Sequence, residues 1–137
     1  MPTESVLRSD ELKLLTEVGF LALNCASPVM AARVFDPLAK VVPQRAYAWV
    51  GLAYAYLNAA QPGEAVRVLE RARGIMRPDE SSDEDIALVT ALLGFALHHA
   101  RRQGECVKLL ATLIHRPADD PGGRIARSLM GVPNHGH

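Results

Sequence analysis

The sequence has little that would support a disulfide framework, a membrane span or a nucleic-acid interface. Two cysteines, Cys25 and Cys106, are too few to cross-link a small fold. Lys13, Glu17 and Asn24 interrupt the longest early apolar stretch, so we expect no membrane insertion. Fifteen basic residues balance fifteen acidic ones. Because binding to a phosphate backbone needs a basic surplus, this neutrality argues against nucleic acid as a partner.

The sequence also lacks a secretory signal and the common catalytic motifs. Its first residues include Glu4 and no basic-then-apolar stretch, so we expect a cytoplasmic protein. It contains no Cys-x-x-Cys, His-Glu-x-x-His, phosphate-binding glycine loop or nucleophile elbow. Adjacent residues such as His98 and His99 point about 100° apart on a helix, so both cannot readily bind one metal ion. We therefore expect no enzyme, no cofactor and no native metal site.

A pattern typical of helical hairpins is present and organises the chain. Its middle copy places Trp49, Leu52, Ala53 and Tyr56 on a first helix and Ala65 on a second. Two small residues twelve positions apart let antiparallel helices approach closely, and the large residues fill the space around them. This spacing is the tetratricopeptide-repeat (TPR) pattern.

The same spacing occurs on both sides of the middle copy. The small residues are Gly19 and Ala31, 34 positions upstream, and Gly94 and Cys106, 41 positions downstream. The sequence therefore predicts an all-α fold: three TPR-like hairpins in a right-handed superhelical array, plus a short C-terminal helix. The single predicted domain has repeats over about 12–45, 46–79 and 87–120, the last repeat helix ending at His115, a C-terminal helix over about 121–130 and a disordered tail over 131–137.

Three local features modify this prediction. Pro37 lies inside a predicted helix and should kink it. Ser81 with Glu84 predicts a capping box at the start of the third repeat. The acidic residues of 77–85 fit helix-start electrostatics, and the alternative is an acidic docking site. Gly122 and Gly123 should weaken the C-terminal helix.

The predicted binding surface is the concave groove lined by the first helix of each hairpin. Its lining is aliphatic and aromatic in the middle and polar at the edge, which suits an amphipathic helix or an extended apolar segment of another protein. Tyr54 is the predicted central anchor, because it belongs to the middle repeat. The predicted groove residues are Thr16, Phe20, Leu23, Asn24, Tyr47, Val50, Tyr54, Leu57, Asn58, Leu88, Phe95 and His98.

Two other occupants of this groove are open at this point. The chain's own last helix would fill it, or a second copy would do so and give a homodimer in the absence of a client. An exposed apolar concavity is in either case expected to be covered in water. On the opposite face, Arg67 and Arg71 lie one turn apart and indicate either a solvated charged face or a binding patch.

The first repeat resembles a known family. Glu11-Leu-Lys-Leu-Leu-Thr-Glu-Val-Gly-Phe-Leu-Ala-Leu-Asn-Cys25, continuing into Ala31-Ala-Arg-Val-Phe-Asp-Pro-Leu-Ala-Lys-Val-Val-Pro43, is similar to the small TPR chaperones of bacterial type III secretion systems. The resemblance covers about residues 10–116. It implies a bacterial cytoplasmic chaperone that holds an export component in its groove: a needle subunit, a translocator or a small export regulator. The alternative is a general TPR scaffold that links subunits of a bacterial protein assembly.

Overall fold

The structure is a computed structural model that describes residues 28–133. Over this range the chain is all-helical, with six helices and no strand. The first helix of the predicted first repeat, with Thr16, Phe20, Leu23 and Asn24, lies outside the described residues, as do residues 134–137. The helices are α1 (Pro28–Val41), α2 (Ala46–Asn58), α3 (Pro62–Ile75), α4 (Asp83–His99), α5 (Gln103–Ala111) and α6 (Pro121–Met130).

Consecutive helices pack on one another, and two pairs of alternate helices are also in contact. α1 contacts α2, α2 contacts α3, α3 contacts α4 and α4 contacts α5. In addition, α2 contacts α4, and α4 contacts α6. Three alternate helices therefore lie side by side, and α3 and α5 pack behind them. No helix among residues 28–133 is long and apolar enough to cross a bilayer.

Small residues lie where the helices approach most closely, as the repeat pattern predicts. Ala53 and Ala65 are both fully buried. A Cβ atom added at Gly94 would lie 2.4 Å from a Leu110 methyl carbon, so Leu110 on α5 would have to shift to accept any larger residue there. Cys106 is buried in the same hairpin, and this burial raises the pKa of its thiol. Cys106 therefore serves as a small core residue.

The turns after α2 and α4 have the same geometry. Ala60 has φ 58° and Arg101 has φ 62°, both in the left-handed region. In the first turn the N–H of Gln61 donates to the carbonyl of Tyr56 at 2.8 Å. In the second turn the corresponding bond, from Arg102 to Leu97, is 2.9 Å. Each residue of the second turn lies 41 positions after its counterpart. The two hairpins thus repeat the same backbone conformation at the spacing found in the sequence.

Several helix ends differ from the sequence prediction. The cap of α4 is Ser82, whose hydroxyl accepts a hydrogen bond from the N–H of Asp85 at 3.0 Å. The predicted cap, Ser81, is buried and donates to the side-chain oxygen of Gln44 at 2.6 Å. α5 ends at Ala111 rather than His115, because the following residues form turns. α1 continues through Pro37, which lies on its exposed side.

The C-terminal helix forms where the sequence predicts it, and its two glycines have a packing role. A Cβ atom at Gly122 would lie 2.6 Å from the backbone carbonyl of Ala87, so the absence of a side chain lets α6 contact α4 directly. Gly131, with φ 71°, ends the helix, and the N–H of Val132 donates to the carbonyl of Arg127 at 2.8 Å. The beginning of the predicted disordered tail therefore belongs to the helix terminus.

The side chain of Arg127 fixes α6 to the preceding turns. It is buried, and its guanidinium donates hydrogen bonds of 2.8–3.3 Å to four backbone carbonyls. These carbonyls follow the end of α5, where helical hydrogen bonds no longer satisfy them. The acceptors are the backbone oxygens of Ile114, Arg116, Pro117 and Ala118.

Candidate functional site

The candidate site begins with a cleft of about 550 Å³ between α2 and α4. Its exposed aromatic side chain is Tyr54, which is 44% exposed. We call this the Tyr54 cleft. It is lined by Tyr54, Leu57, Asn58, Ala60, Pro62, Leu92, Phe95 and His99.

The helical period explains why these residues share one surface. Tyr54, Leu57 and Asn58 are three and four positions apart on α2, so they lie on one face of that helix. The same helix buries Ala53 and Ala55 against its neighbours. The small buried residues hold α2 in place while the large residues of the other face line the cleft.

A second cleft of about 500 Å³ lies between α4 and α6. Phe95 lines both clefts, so together they form one surface that runs across α2, α4 and α6. We call the second one the Leu129 cleft, after a leucine that is 38% exposed. It is lined by Phe95, Pro121, Arg124, Ile125, Ser128 and Leu129.

The C-terminal helix extends this surface and does not occupy it. No residue of α6 lines the Tyr54 cleft. α6 packs instead beside α4, burying Gly122, Gly123 and Ala126. Within the described part of the chain, therefore, the last helix is not the occupant of the groove around Tyr54.

The electrostatics of the two clefts are one-sided. No aspartate or glutamate among the described residues lines either of them. Arg124 is exposed at the Leu129 cleft. His99 lies next to Phe95 in the Tyr54 cleft, and the centroids of the two rings are 4.5 Å apart in an edge-to-face arrangement. The surface therefore offers apolar contact with basic groups at its margin.

Four of the predicted groove residues lie outside both clefts. The guanidinium of Arg45 lies 4.8 Å from the ring centroid of Tyr47 and donates to its hydroxyl at 3.0 Å. Val50 and Leu88 are half-buried against the core. The exposed His98 has its Nδ1 2.7 Å from the side-chain oxygen of Gln103. These four residues therefore make local contacts outside the two clefts, and their part in the groove stays a prediction.

Sequence reasoning missed the α6 half of the surface. Arg124, Ile125 and Leu129 lie on a segment that was expected to cover an exposed face, not to line a groove. Ile125 and Leu129 are four positions apart, which is the helical periodicity that could have indicated a shared face. Leu92, one turn before Phe95 on α4, was also missed.

A third cleft of about 300 Å³ lies on another face, between α1 and α3. Its floor includes Trp49, whose indole N–H donates to the carbonyl of Pro43 at 2.9 Å. Arg71 lines this cleft, whereas Arg67 pairs with Glu64 at 3.2 Å. Arg67 and Arg71, for which the sequence indicated either a solvated charged face or a binding patch, therefore have different surroundings.

In the acidic segment 77–85, Asp83 links the start of α4 to the turns before α6. Asp83 accepts from Arg116 at 3.0 Å, and Arg116 also pairs with Asp120, the cap of α6, at 2.8 Å. This favours the structural interpretation of residues 77–85 over an acidic docking site.

Among residues 28–133, no three His, Cys, Asp or Glu side chains form a group able to hold a metal ion. No protein-family model, curated protein or solved structure matches this chain.

Proposed function

We propose that this chain is a small protein-binding chaperone with a TPR-type array of hairpins. Its groove holds an apolar or amphipathic segment of a type III secretion export component: a needle subunit, a translocator or a small export regulator. The observation that carries the proposal is the exposure of Tyr54 beside Leu57 and Phe95, on a surface shared by three helices. The secretion client is suggested by the resemblance of residues 10–116.

The repeat architecture is supported by backbone and packing together. The turns at Ala60 and Arg101 have the same conformation 41 residues apart. Alternate helices α2, α4 and α6 lie side by side, as the first helices of stacked hairpins do. In such a stack these helices line the concave face, and both clefts are lined by residues of these helices.

The mechanism is sequestration. A client segment that lays its apolar side chains on Tyr54, Leu57 and Phe95 removes them from water together with the groove. The client then stays monomeric in the bacterial cytoplasm until it is handed to the secretion apparatus. In the absence of client, the same apolar surface favours weak association of two copies.

The test is titration calorimetry of the co-purified client against the parent chain and two variants. Tyr54→Ala should weaken binding about thirty-fold, because a central aromatic anchor contributes about 2 kcal/mol or more. Arg71→Ala, in the cleft between α1 and α3, is the matched control and should change little. Far-UV circular dichroism should show the same helix content for all three proteins. Equal affinities for Tyr54→Ala and the parent, or a larger loss for Arg71→Ala, would place the binding surface elsewhere.

A general scaffold that links two subunits of an assembly is the second candidate. The cleft between α1 and α3 favours it, because this cleft lies apart from Tyr54 and presents the half-buried Tyr56 and the exposed Lys40 as a second contact surface. A scaffold binds two proteins at once through separate faces, whereas a chaperone suppresses the aggregation of one. Light scattering of the client with and without this chain, combined with a three-component sedimentation experiment, distinguishes them.

A further inference from the structure

The α6 end of the groove carries a basic side chain in an otherwise apolar surface. Arg124 is exposed and lines the Leu129 cleft together with Phe95, Ile125 and Leu129. Its guanidinium forms no ion pair or hydrogen bond with any other residue of the described part of the chain. The two arginines on either side of it along the chain are both paired. Arg116 pairs with Asp83 and Asp120, and Arg127 donates to backbone carbonyls.

Within residues 28–133, the groove has no acidic residue to satisfy this charge. Neither cleft is lined by an aspartate or glutamate of this range. A partner that covers Leu129 and Phe95 also takes water away from the nearby guanidinium. Because a desolvated charge needs a counter-charge, the complementary partner carries a carboxylate at this position.

The lining also indicates the conformation of the partner. The floor offers few groups that can bond to a peptide backbone: among residues 28–133 its polar side chains are Tyr54, Asn58 and His99 in one cleft and Arg124 and Ser128 in the other. An extended segment would leave its backbone N–H and C=O groups without partners here, whereas a helix satisfies them internally. An amphipathic helix with apolar residues at i, i+3, i+4 and i+7 can cover the surface from Tyr54 to Leu129.

We propose that the groove selects an acidic amphipathic helix of a partner protein, whose glutamate or aspartate side chain pairs with Arg124. This inference rests on the proposed function, since it names the client chemistry for the same groove. Arg124 is then the residue that sets the charge preference, and Tyr54 with Phe95 supplies the apolar contact.

The probes are three helical peptides of about 16 residues, a length that allows a stable helix. All share one leucine stripe and have acetylated and amidated ends, so that only side chains carry charge. They differ at one position beside the stripe, which is glutamate, glutamine or lysine. Binding to the full chain is measured by fluorescence anisotropy at low salt and at high salt.

We expect the glutamate peptide to bind the parent about five-fold more tightly than the glutamine peptide, with the difference shrinking at high salt. Arg124→Glu should reverse the order, so that the lysine peptide binds most tightly. The substitution places an acid in the first turn of α6, which the helix dipole favours, so the helix should remain intact. Arg73→Glu, on the exposed face of α3 and lining neither cleft, is the matched control and should keep the parent's order.

The outcomes separate this inference from the proposed function. If all three peptides bind the parent equally and Tyr54→Ala abolishes binding, the groove binds helices without charge selection and the inference is wrong. If no peptide binds, or if Tyr54→Ala binds as the parent does, the groove itself is not the binding site and the proposed function fails too. A parent dimer that the glutamate peptide cannot dissociate would make a second copy the occupant, and would overturn the inference.

Discussion

Asp85 caps a helix that begins 39 residues earlier, through a hydrogen bond of 2.9 Å from the backbone N–H of Ala46 to its carboxylate. Arg45, the residue before α2, offers no side-chain cap of its own. It instead donates to the same carboxylate oxygen of Asp85 at 3.2 Å. One acid at the start of α4 therefore closes the N-terminus of α2 and ties together two of the helices that line the groove.

Removing this carboxylate should destabilise the protein. Asp85→Ala leaves the N–H of Ala46 without its acceptor and breaks the ion pair with Arg45, so we expect a loss of about 1–2 kcal/mol in the free energy of unfolding. Asp85→Asn keeps a hydrogen-bond acceptor and should recover part of this loss. Urea unfolding followed by circular dichroism measures both. Asp79→Ala is the control, because Asp79 is exposed in the loop and pairs with no other described residue. A loss for Asp79→Ala as large as that for Asp85→Ala would contradict the capping role.

The close approach of α2 and α3 depends on the size of Ala65. This side chain is fully buried, as is Ala53 on the facing helix. Ala65→Leu should overpack the hairpin and lower stability by about 1–3 kcal/mol. Ala111→Leu, at the exposed end of α5, makes the same chemical change without burial and should have little effect. An unchanged melting temperature for Ala65→Leu would show that the small-residue pairing was assigned wrongly.

The sequence predicts the features of this fold that depend on local periodicity. The small residues Ala53, Ala65 and Gly94 lie at helix contacts because their spacing reflects the helical repeat itself. The same period brings Tyr54 and Leu57 to one face of α2. The all-helical fold follows from this periodicity, whereas the superhelical arrangement of the hairpins stays a prediction.

Contacts between distant segments could not be predicted in the same way. Asp85 caps α2 from the first turn of α4, and nothing in the spacing of residues 46 and 85 indicates this contact. Gly122 illustrates the opposite error. Helix propensity alone counts it as a weakness, but its lack of a side chain permits the contact of α6 with Ala87. Propensity describes an isolated helix, and packing decides whether it forms in the fold.

The second repeated turn contains a strained residue that glycine should relieve. Arg101 has φ 62°, a conformation that costs an ordinary L-residue about 1 kcal/mol. Arg101→Gly should therefore raise the free energy of unfolding by about 0.5–1 kcal/mol. The neighbouring Ala100 has φ −83°, so Ala100→Gly gains no such relief and should lower stability. Urea midpoints that move in the same direction for both variants would be inconsistent with strain at Arg101.

The docking of α6 should depend on pH through Asp120. Burial alone raises the pKa of this carboxyl, but hydrogen bonds from Arg116 and from the N–H of Gly123, with the charges of Arg116 and Arg127, outweigh it and hold the pKa below its ordinary value. A carboxyl with a lowered pKa in the folded state contributes stability that is fully present above its unfolded pKa, about 3.9. That contribution is lost as the pH falls from about 4 through the lower folded value.

Asp120→Asn should therefore flatten the acid side of the stability curve, measured by urea unfolding between about pH 3 and pH 7. Hydrogen exchange should show the amides of α6 opening first as the parent is acidified, because Asp120 caps that helix. Glu105→Gln is the matched control: its hydrogen bond with Arg102 also lowers its pKa, but the pair is exposed and neither residue belongs to α6. Since α6 forms one wall of the Leu129 cleft, acid should weaken contacts at that cleft before those at Tyr54. If Asp120→Asn keeps the parent's full acid dependence, or if α2 amides open before those of α6, the carboxylate does not hold this end of the groove.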